Sequence, residues 1–426
     1  MIPQKHVGIL CHLTSLPDSN LGENGALKFC EFLKKNGIGV WQMLPIHPPD
    51  RFGSPYSSTS AFAGWNGFLE DNQQSVSKKD YKIFCEINSH WLDDYALFNA
   101  LKNRFDGKAW TEWPVEFRNR EKNTMNEVLE SEEEIIEIIR LQQFQFEQEW
   151  MHLRETASAS GIRLFGDIPF FVAHDSADVW AAPNHFNLDG NGRPTHVSGV
   201  PPDYFSPTGQ RWGTPLYNWP IHREDGFNWW KERMKRMFNL FDIVRIDHFR
   251  AIDSAWSIPA HHPTAEHGTW EKGPGDDFLQ AILSEIQGEI VAEDLGIIPE
   301  SVTELRKQHR LPGMAILQFA TNDKNNPHRP ENHTEDTVVY TGTHDNDTTV
   351  GWGVKPVDET VKEALNSVSN LAIIPLQDVL KLGSEARMNT PGTKEGNWSW
   401  KCKWDDLNDA NIDWFRTAIK DSGRLN

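Results

Sequence analysis

Eight short apolar runs punctuate the chain, at 7–11, 38–44, 162–167, 241–246, 289–293, 314–319, 337–341 and 371–374. They are mostly without the apolar–polar alternation of a half-exposed strand, so they predict strands covered on both faces, as in a parallel sheet. Between them, apolar positions recur at helical spacing over 27–35, 95–103, 121–158, 229–240 and 278–287. Strands that alternate with helices favour one closed parallel sheet over a sandwich. The predicted fold class is α/β, a (β/α)8 barrel with subdomains inserted between strands and helices, spanning 1–426 as one catalytic domain.

The pattern breaks in three places. Residues 45–64, dense in Pro, Ser and Gly, form a long loop after the second strand, and Ser54 and Tyr56 present hydroxyls and a ring together there. A mostly helical insertion is expected over roughly 65–160. Residues 174–218 carry little periodicity, and we expect a loop insertion overhanging a cleft, displaying Asp203, Tyr204, Phe205 and Trp212 on backbone stiffened by Pro and Gly. A further Pro- and His-rich loop should follow the fourth strand, through Trp256, His261, His262 and Trp270. Adjacent histidines on extended chain point oppositely and no HxxxH or HExxH spacing occurs, so no metal is expected.

A formal net charge of -19 argues against nucleic acid or an anionic membrane as partner, and no obligate protein partner is evident. A neutral substrate would not be repelled. No run is long enough for an apolar membrane span and residues 1–6 lack a secretory core, so a cytoplasmic protein is expected. Four scattered cysteines make neither a CxxC nor a disulfide framework. The 18 tryptophans suit a ligand with partly C–H faces, as sugar rings have, although core packing accounts for many of them.

The candidate chemistry centres on Phe241-Asp-Ile-Val-Arg-Ile-Asp-His-Phe-Arg250. Arg245 and Asp247 are two residues apart, so both project from one face at the strand's C-terminal end. A self-satisfied ion pair is the bland explanation. Other runs also end in acids, at Asp167, at Glu293 and Asp294, and at His344-Asp345. Carboxyl groups delivered by several strand ends are how a barrel builds an active site.

The segments Gly166-Asp-Ile-Pro169, Ser198 to Tyr217, Arg245-Ile-Asp247-His-Phe249, Ala292-Glu293-Asp-Leu295, Tyr340-Thr-Gly-Thr-His344-Asp345-Asn-Asp347 and Leu382-Gly-Ser-Glu-Ala-Arg-Met-Asn389 closely resemble the 4-α-glucanotransferases known as amylomaltases or disproportionating enzymes. The resemblance runs nearly end to end. It implies Asp247 as nucleophile, Glu293 as general acid/base and Asp345 as the acid that stabilises the transition state. It implies Tyr56, Asp167, Arg245 and His344 around the donor sugar, and Tyr204, Phe205 and Trp212 beside the acceptor. Ser54, Asp203, Asp294 and Asn389 match further substrate contacts. The implied partners are α-1,4-glucans, maltooligosaccharides and glucose, with no cofactor or metal. Leu13 stands where the family usually has proline. The chain is also shorter than typical members, with length missing after the second strand and between Gly353 and Leu371, which bears on the outer glucan sites.

Such an enzyme needs one carboxyl protonated and one ionised across a glycosidic bond, about 5 Å apart if configuration is retained. Arg245 would favour the charged nucleophile, and the surroundings of Glu293 would have to keep it protonated. An α-glucan hydrolase on the same scaffold, or a glucan-binding protein without chemistry, would use much the same residues. Taken singly, Tyr56 could be a packed loop ring, Trp212 a core residue and His344 a buried imidazole. Asp294 and Asp347 could cap helices.

Overall fold

The structure, a computed structural model, describes residues 5–70, 76–202 and 206–424. Eight parallel strands, β1 (His6–Leu10), β2 (Val40–Gln42), β3 (Arg163–Ile168), β6 (Ile243–Ile246), β9 (Glu289–Ala292), β10 (Gly313–Ile316), β11 (Thr337–Tyr340) and β12 (Leu371–Pro375), coincide with the eight apolar runs. They pair in the order β10-β11-β12-β1-β2-β3-β6-β9, nearly closing into a barrel. β9 and β10 meet at the remaining seam, where the Ala292 amide donates to Pro312 O at 2.8 Å. Inward-facing Leu10, Val40, Phe165, Ile243, Val291, Met314, Val338 and Ile373 fill the barrel, which is a packed core and not a pore.

Helices cover the outside for the reason their sequences suggest. Helix Ala26–Lys35 buries Phe29, Cys30 and Leu33, while Glu31, Lys34 and Lys35 face solvent. The region inserted after β2 holds two 27-residue helices, Lys78–Arg104 and Glu133–Ala159, which pack on each other. The charged stretch expected as one helix is broken at Glu132, the junction between helix Lys122–Ser131 and the longer one. Trp150 at its buried face donates its indole N–H to Leu240 O and packs edge-on against Phe241, fastening this layer beneath β6.

The expectation of irregular loops over 174–218 and after β6 is corrected. β4 (His196–Val200), β5 (Gln210–Pro215), β7 (Ser254–Pro259) and β8 (Thr269–Lys272) form a separate antiparallel sheet in the order β5-β4-β7-β8. Its small core is Val197, Ile258 and Ala265 with Trp256 against them. Each strand is short and rich in Gly, Pro, Ser or Trp, so a period-two pattern is hidden, and the partners come from two distant segments. Among the tryptophans, Trp41, Trp110, Trp150, Trp180 and Trp230 are fully buried, so packing explains these five.

Candidate active site

The site lies at the C-terminal ends of the barrel strands. β3 carries Asp167, fully buried, as its penultimate residue, and β6 carries the buried Arg245. Their register pairs Asp167 with Arg245 across the sheet, and Arg245 Nη1 donates to Asp167 Oδ1 and Oδ2 at 2.8 and 2.7 Å. Arg245 Nη2 lies 2.8 Å from Asp247 Oδ1. One guanidinium thus ties a buried carboxylate to a partly exposed one. Burial opposes its charge, but the two carboxylates outweigh that and push Arg245 well above its usual range. The self-satisfied pair does form, yet it is only part of what Arg245 holds.

Tyr56, from the long loop after β2, donates its hydroxyl to Asp167 Oδ2 at 2.7 Å. Its ring stacks on His344 with centroids 5.2 Å apart, and His344 Nε2 is 3.4 Å from Asp345 Oδ1. Asn389 Nδ2 donates to the same Asp345 oxygen at 2.6 Å, while Arg387 grips Asp345 O at 2.7 Å and Asn389 O at 2.8 Å. A chain of contacts therefore runs from Asp247 through Arg245, Asp167, Tyr56 and His344 to Asp345.

Glu293, just past β9, closes the arrangement. Its Oε2 accepts the His248 amide at 2.6 Å and its Oε1 accepts the Leu295 amide at 3.1 Å. His248, directly after Asp247, adopts the left-handed conformation (φ 52°), uncommon for a residue other than glycine, and its N–H is the one that reaches Glu293. Burial above all raises Glu293 to about 8. Arg245 opposes the shift, the negative charge of Asp247 adds to it, and the His248 amide opposes it. The site thus combines two half-buried carboxyls, one held by a cation and one whose surroundings raise it to about 8.

Trp212 on β5 is 40% exposed, its ring edge-on to His248 at 4.8 Å, which sets an apolar face beside the Asp247–Glu293 side. Ser54 is half-buried, and its backbone amide donates to Asp50 Oδ1 at 2.9 Å. Asp294 points into the β9–β10 seam with its oxygens engaged by Arg306 and the Met314 amide. Asp347 accepts from Ser384 Oγ and the Thr348 amide. Asp203, Tyr204 and Phe205 lie outside the described residues. Among the described residues no group of three or more His, Cys, Asp or Glu is arranged to hold a metal ion, and no helix is long and apolar enough to cross a membrane.

Two residues escaped sequence reasoning. Arg387 sits in a motif from which only Asn389 was singled out, and its own role needs the fold to bring 387 beside 345. Trp398, half-buried in the left-handed conformation (φ 61°), places its ring 5.9 Å from Tyr56 and 6.0 Å from His344. Its only sequence signal was a Gly-Asn-Trp run in an unpatterned segment.

A (β/α)8 barrel whose mouth gathers several carboxyls, an arginine, a histidine and open aromatic faces defines an enzyme acting on glycosidic bonds. The comparisons with known proteins narrow this class. The chain matches the family model described as 4-alpha-glucanotransferase over residues 11–72 and 65–408, and it belongs to that family. It is 42% identical to the 4-alpha-glucanotransferase of Thermus thermophilus over 92% of this chain and 94% of that one. It is 39% identical to the chloroplastic/amyloplastic 4-alpha-glucanotransferase of Solanum tuberosum, over 99% of this chain and 87% of that one. The latter alignment runs over 502 positions against a 426-residue chain, so the relative carries segments absent here. The two stretches of the family match meet between 65 and 72, at the insertion after β2. Among solved structures, the amylomaltase of Streptococcus agalactiae, in complex with acarbose, superposes with a TM-score of 0.93 at 29% identity, covering 99% of this chain and 100% of that one.

Proposed function

We propose that the chain moves a segment of an α-1,4-glucan to the 4-OH of glucose or of another glucan by double displacement. Asp247 attacks the anomeric carbon and forms a glucosyl ester, while Glu293 gives its proton to the departing oxygen. The 4-OH of an acceptor then attacks the same anomeric carbon, passing its proton to Glu293 and displacing the Asp247 carboxylate, which restores the α linkage. Arg245 holds Asp247 in place, and Tyr56, Asp167, His344 and Asp345 surround the sugar as positive charge develops at its ring. Asn389 and Arg387 keep Asp345 oriented, and Ser54 stands at the donor-side loop.

The observation that carries the reading is the pairing of Asp247, bound to the Arg245 guanidinium, with Glu293, raised to about 8 and held by the amide of His248, the residue after Asp247. Two carboxyls so differentiated suit one acid and one nucleophile. Transfer over hydrolysis is favoured where an acceptor is stacked and water is kept out, a task for Trp212 with Tyr204 and Phe205. Acarbose in the S. agalactiae amylomaltase is in keeping with maltooligosaccharide-like ligands here. Four unpaired cysteines fit a reducing compartment such as the cytoplasm.

Incubation with maltotriose should give glucose together with maltooligosaccharides longer than the donor. Glucose and maltose alone would identify a hydrolase. Asp247→Asn should lower turnover by several orders of magnitude, about 10⁴-fold or more, with the fold retained; near-normal turnover in that variant overturns the assignment.

A further inference from the structure

The barrel's hydrogen-bonded ladder runs from β10 round to β9 and leaves a seam between those two strands. The Ala292 amide crosses it to Pro312 O at 2.8 Å. At the next position along β10, the Met314 amide donates to the side chain of Asp294, Oδ1 at 2.8 Å, where a ladder would offer a backbone carbonyl. The other carboxylate oxygen, Oδ2, forms an ion pair at 3.0 Å with Nε of Arg306, from the helix Glu300–Gln308 that connects the two strands. Arg306 also donates from Nη1 to Leu311 O at 2.8 Å, so one guanidinium clamps the end of its own helix, the entry to β10 and Asp294.

Gly313 makes the close approach possible. A Cβ there would stand 2.5 Å from Asp294 Oδ2 and 3.0 Å from Arg306 Cζ. Both partners are 14% exposed at the side chain, and Asp294 also sees the desolvation that makes an unpaired carboxylate costly. Asp294 directly follows Glu293. The Glu293 amide donates to Ile246 O at 3.0 Å on the β6 side, so residue 293 is fixed from β6 on one side and from the seam on the other. Leu295, whose amide holds Glu293 Oε1, lies immediately beyond.

From this geometry we infer that Asp294 and Arg306 form a latch across the β9–β10 seam that orients Glu293, and that both are positioning residues for its proton transfer. The inference rests on Glu293 as the acid/base. It replaces the sugar contact that resemblance implied for Asp294, whose oxygens are occupied within the fold.

The test uses two donors that differ in their need for an acid/base. With maltotriose, the leaving oxygen needs a proton and the incoming 4-OH must lose one. With α-glucosyl fluoride and azide, the C1–F bond breaks as Asp247 forms the ester and fluoride leaves unprotonated. Azide then forms the C1–N bond as the Asp247 carboxylate departs, giving α-glucosyl azide with neither step needing Glu293. Arg306→Met should lower kcat/KM on maltotriose about tenfold or more while fluoride release with azide stays within about threefold of wild type. Arg306→Lys should restore most of the maltotriose rate, and Asp294→Asn, which keeps an acceptor for Met314, should show the same split. A parallel fall in both reactions, no fall in either, or a rise in KM alone overturns the latch. Glu293→Gln is the reference: if it lacks the split, the acid/base assignment fails, whereas a split in Glu293→Gln without one in Arg306→Met sinks only the latch.

Discussion

At the residue scale, Glu293 matters most, because one environment sets both its chemistry and its cost to the fold. Burial is the main cause that raises it from 4.5 to about 8. The protonated form is the competent acid in the free enzyme, so kcat/KM should hold through neutral pH and fall as pH rises through about 8. The same shift is a stability statement. The folded state binds this proton more tightly than the unfolded chain, so its contribution is fully present below about 4.5 and is lost progressively as pH rises toward 8. Glu293→Gln, which never ionises, should therefore melt above wild type at pH 8, by about 1 kcal/mol or more, with the gap closing near pH 4. A Tm difference independent of pH would contradict this. The roles of Asp167 and Tyr56 are of another kind, since each fixes the next member of a chain that ends at Asp345.

At the element scale, the strands serve as delivery rails, and their neighbours set the depth of each acid. Gly166 on β3 faces the Phe241 ring, which a Cβ would meet at 2.3 Å. Gly166→Ala should force β3 away from the helix-to-β6 junction at a cost of about 1–3 kcal/mol. It should also lower kcat by displacing Asp167, one residue on and bonded to Arg245 across the ladder. Chemical denaturation and maltotriose kinetics on one preparation would check both, and an unchanged midpoint would show that Phe241 yields freely. The long loop between β2 and the first inserted helix belongs here too, because its Tyr56 completes a site otherwise built from strand ends.

At the scale of the whole molecule, the opposite end of the barrel is fastened by Arg424. Its fully buried guanidinium donates to Leu365 O at 2.6 Å, His6 O at 2.9 Å, Ser367 O at 2.8 Å and Ser369 O at 2.6 Å, joining the start of β1 to the turn before β12. Arg424→Ala would strand those carbonyls, at a cost of about 2–4 kcal/mol. It should lower Tm by several degrees and leave kcat on maltotriose within about twofold of wild type, since Asp247, Glu293 and Asp345 lie at the other end. A large loss of kcat in folded protein would show the two ends to be coupled.

How much of this was legible beforehand varies with how local its cause is. Eight mostly apolar runs sufficed for eight barrel strands, because a strand covered on both faces announces itself in its own residues. The small sheet was not legible: β4 and β7 satisfy each other's backbone from 196–200 and 254–259, and neither carries a pattern that stands alone. The acids at strand ends and the motifs around them marked Asp247, Glu293 and Asp345, and resemblance supplied their expected roles. The helical break at Glu132 was invisible because both sides continue the same spacing.

By itself, the sequence determined the eight barrel strands, their buried faces and which of them lead into carboxyl groups, since each follows from side-chain chemistry within a few residues. Tertiary structure alone decided that the cation holding Asp247 also holds Asp167, and that backbone amides hold Glu293. It also turned Asp294 into the seam beside Arg306, and brought 387 and 389 against 345. Desolvation and hydrogen-bond geometry depend on what packs around a group, and that is fixed only when distant segments meet.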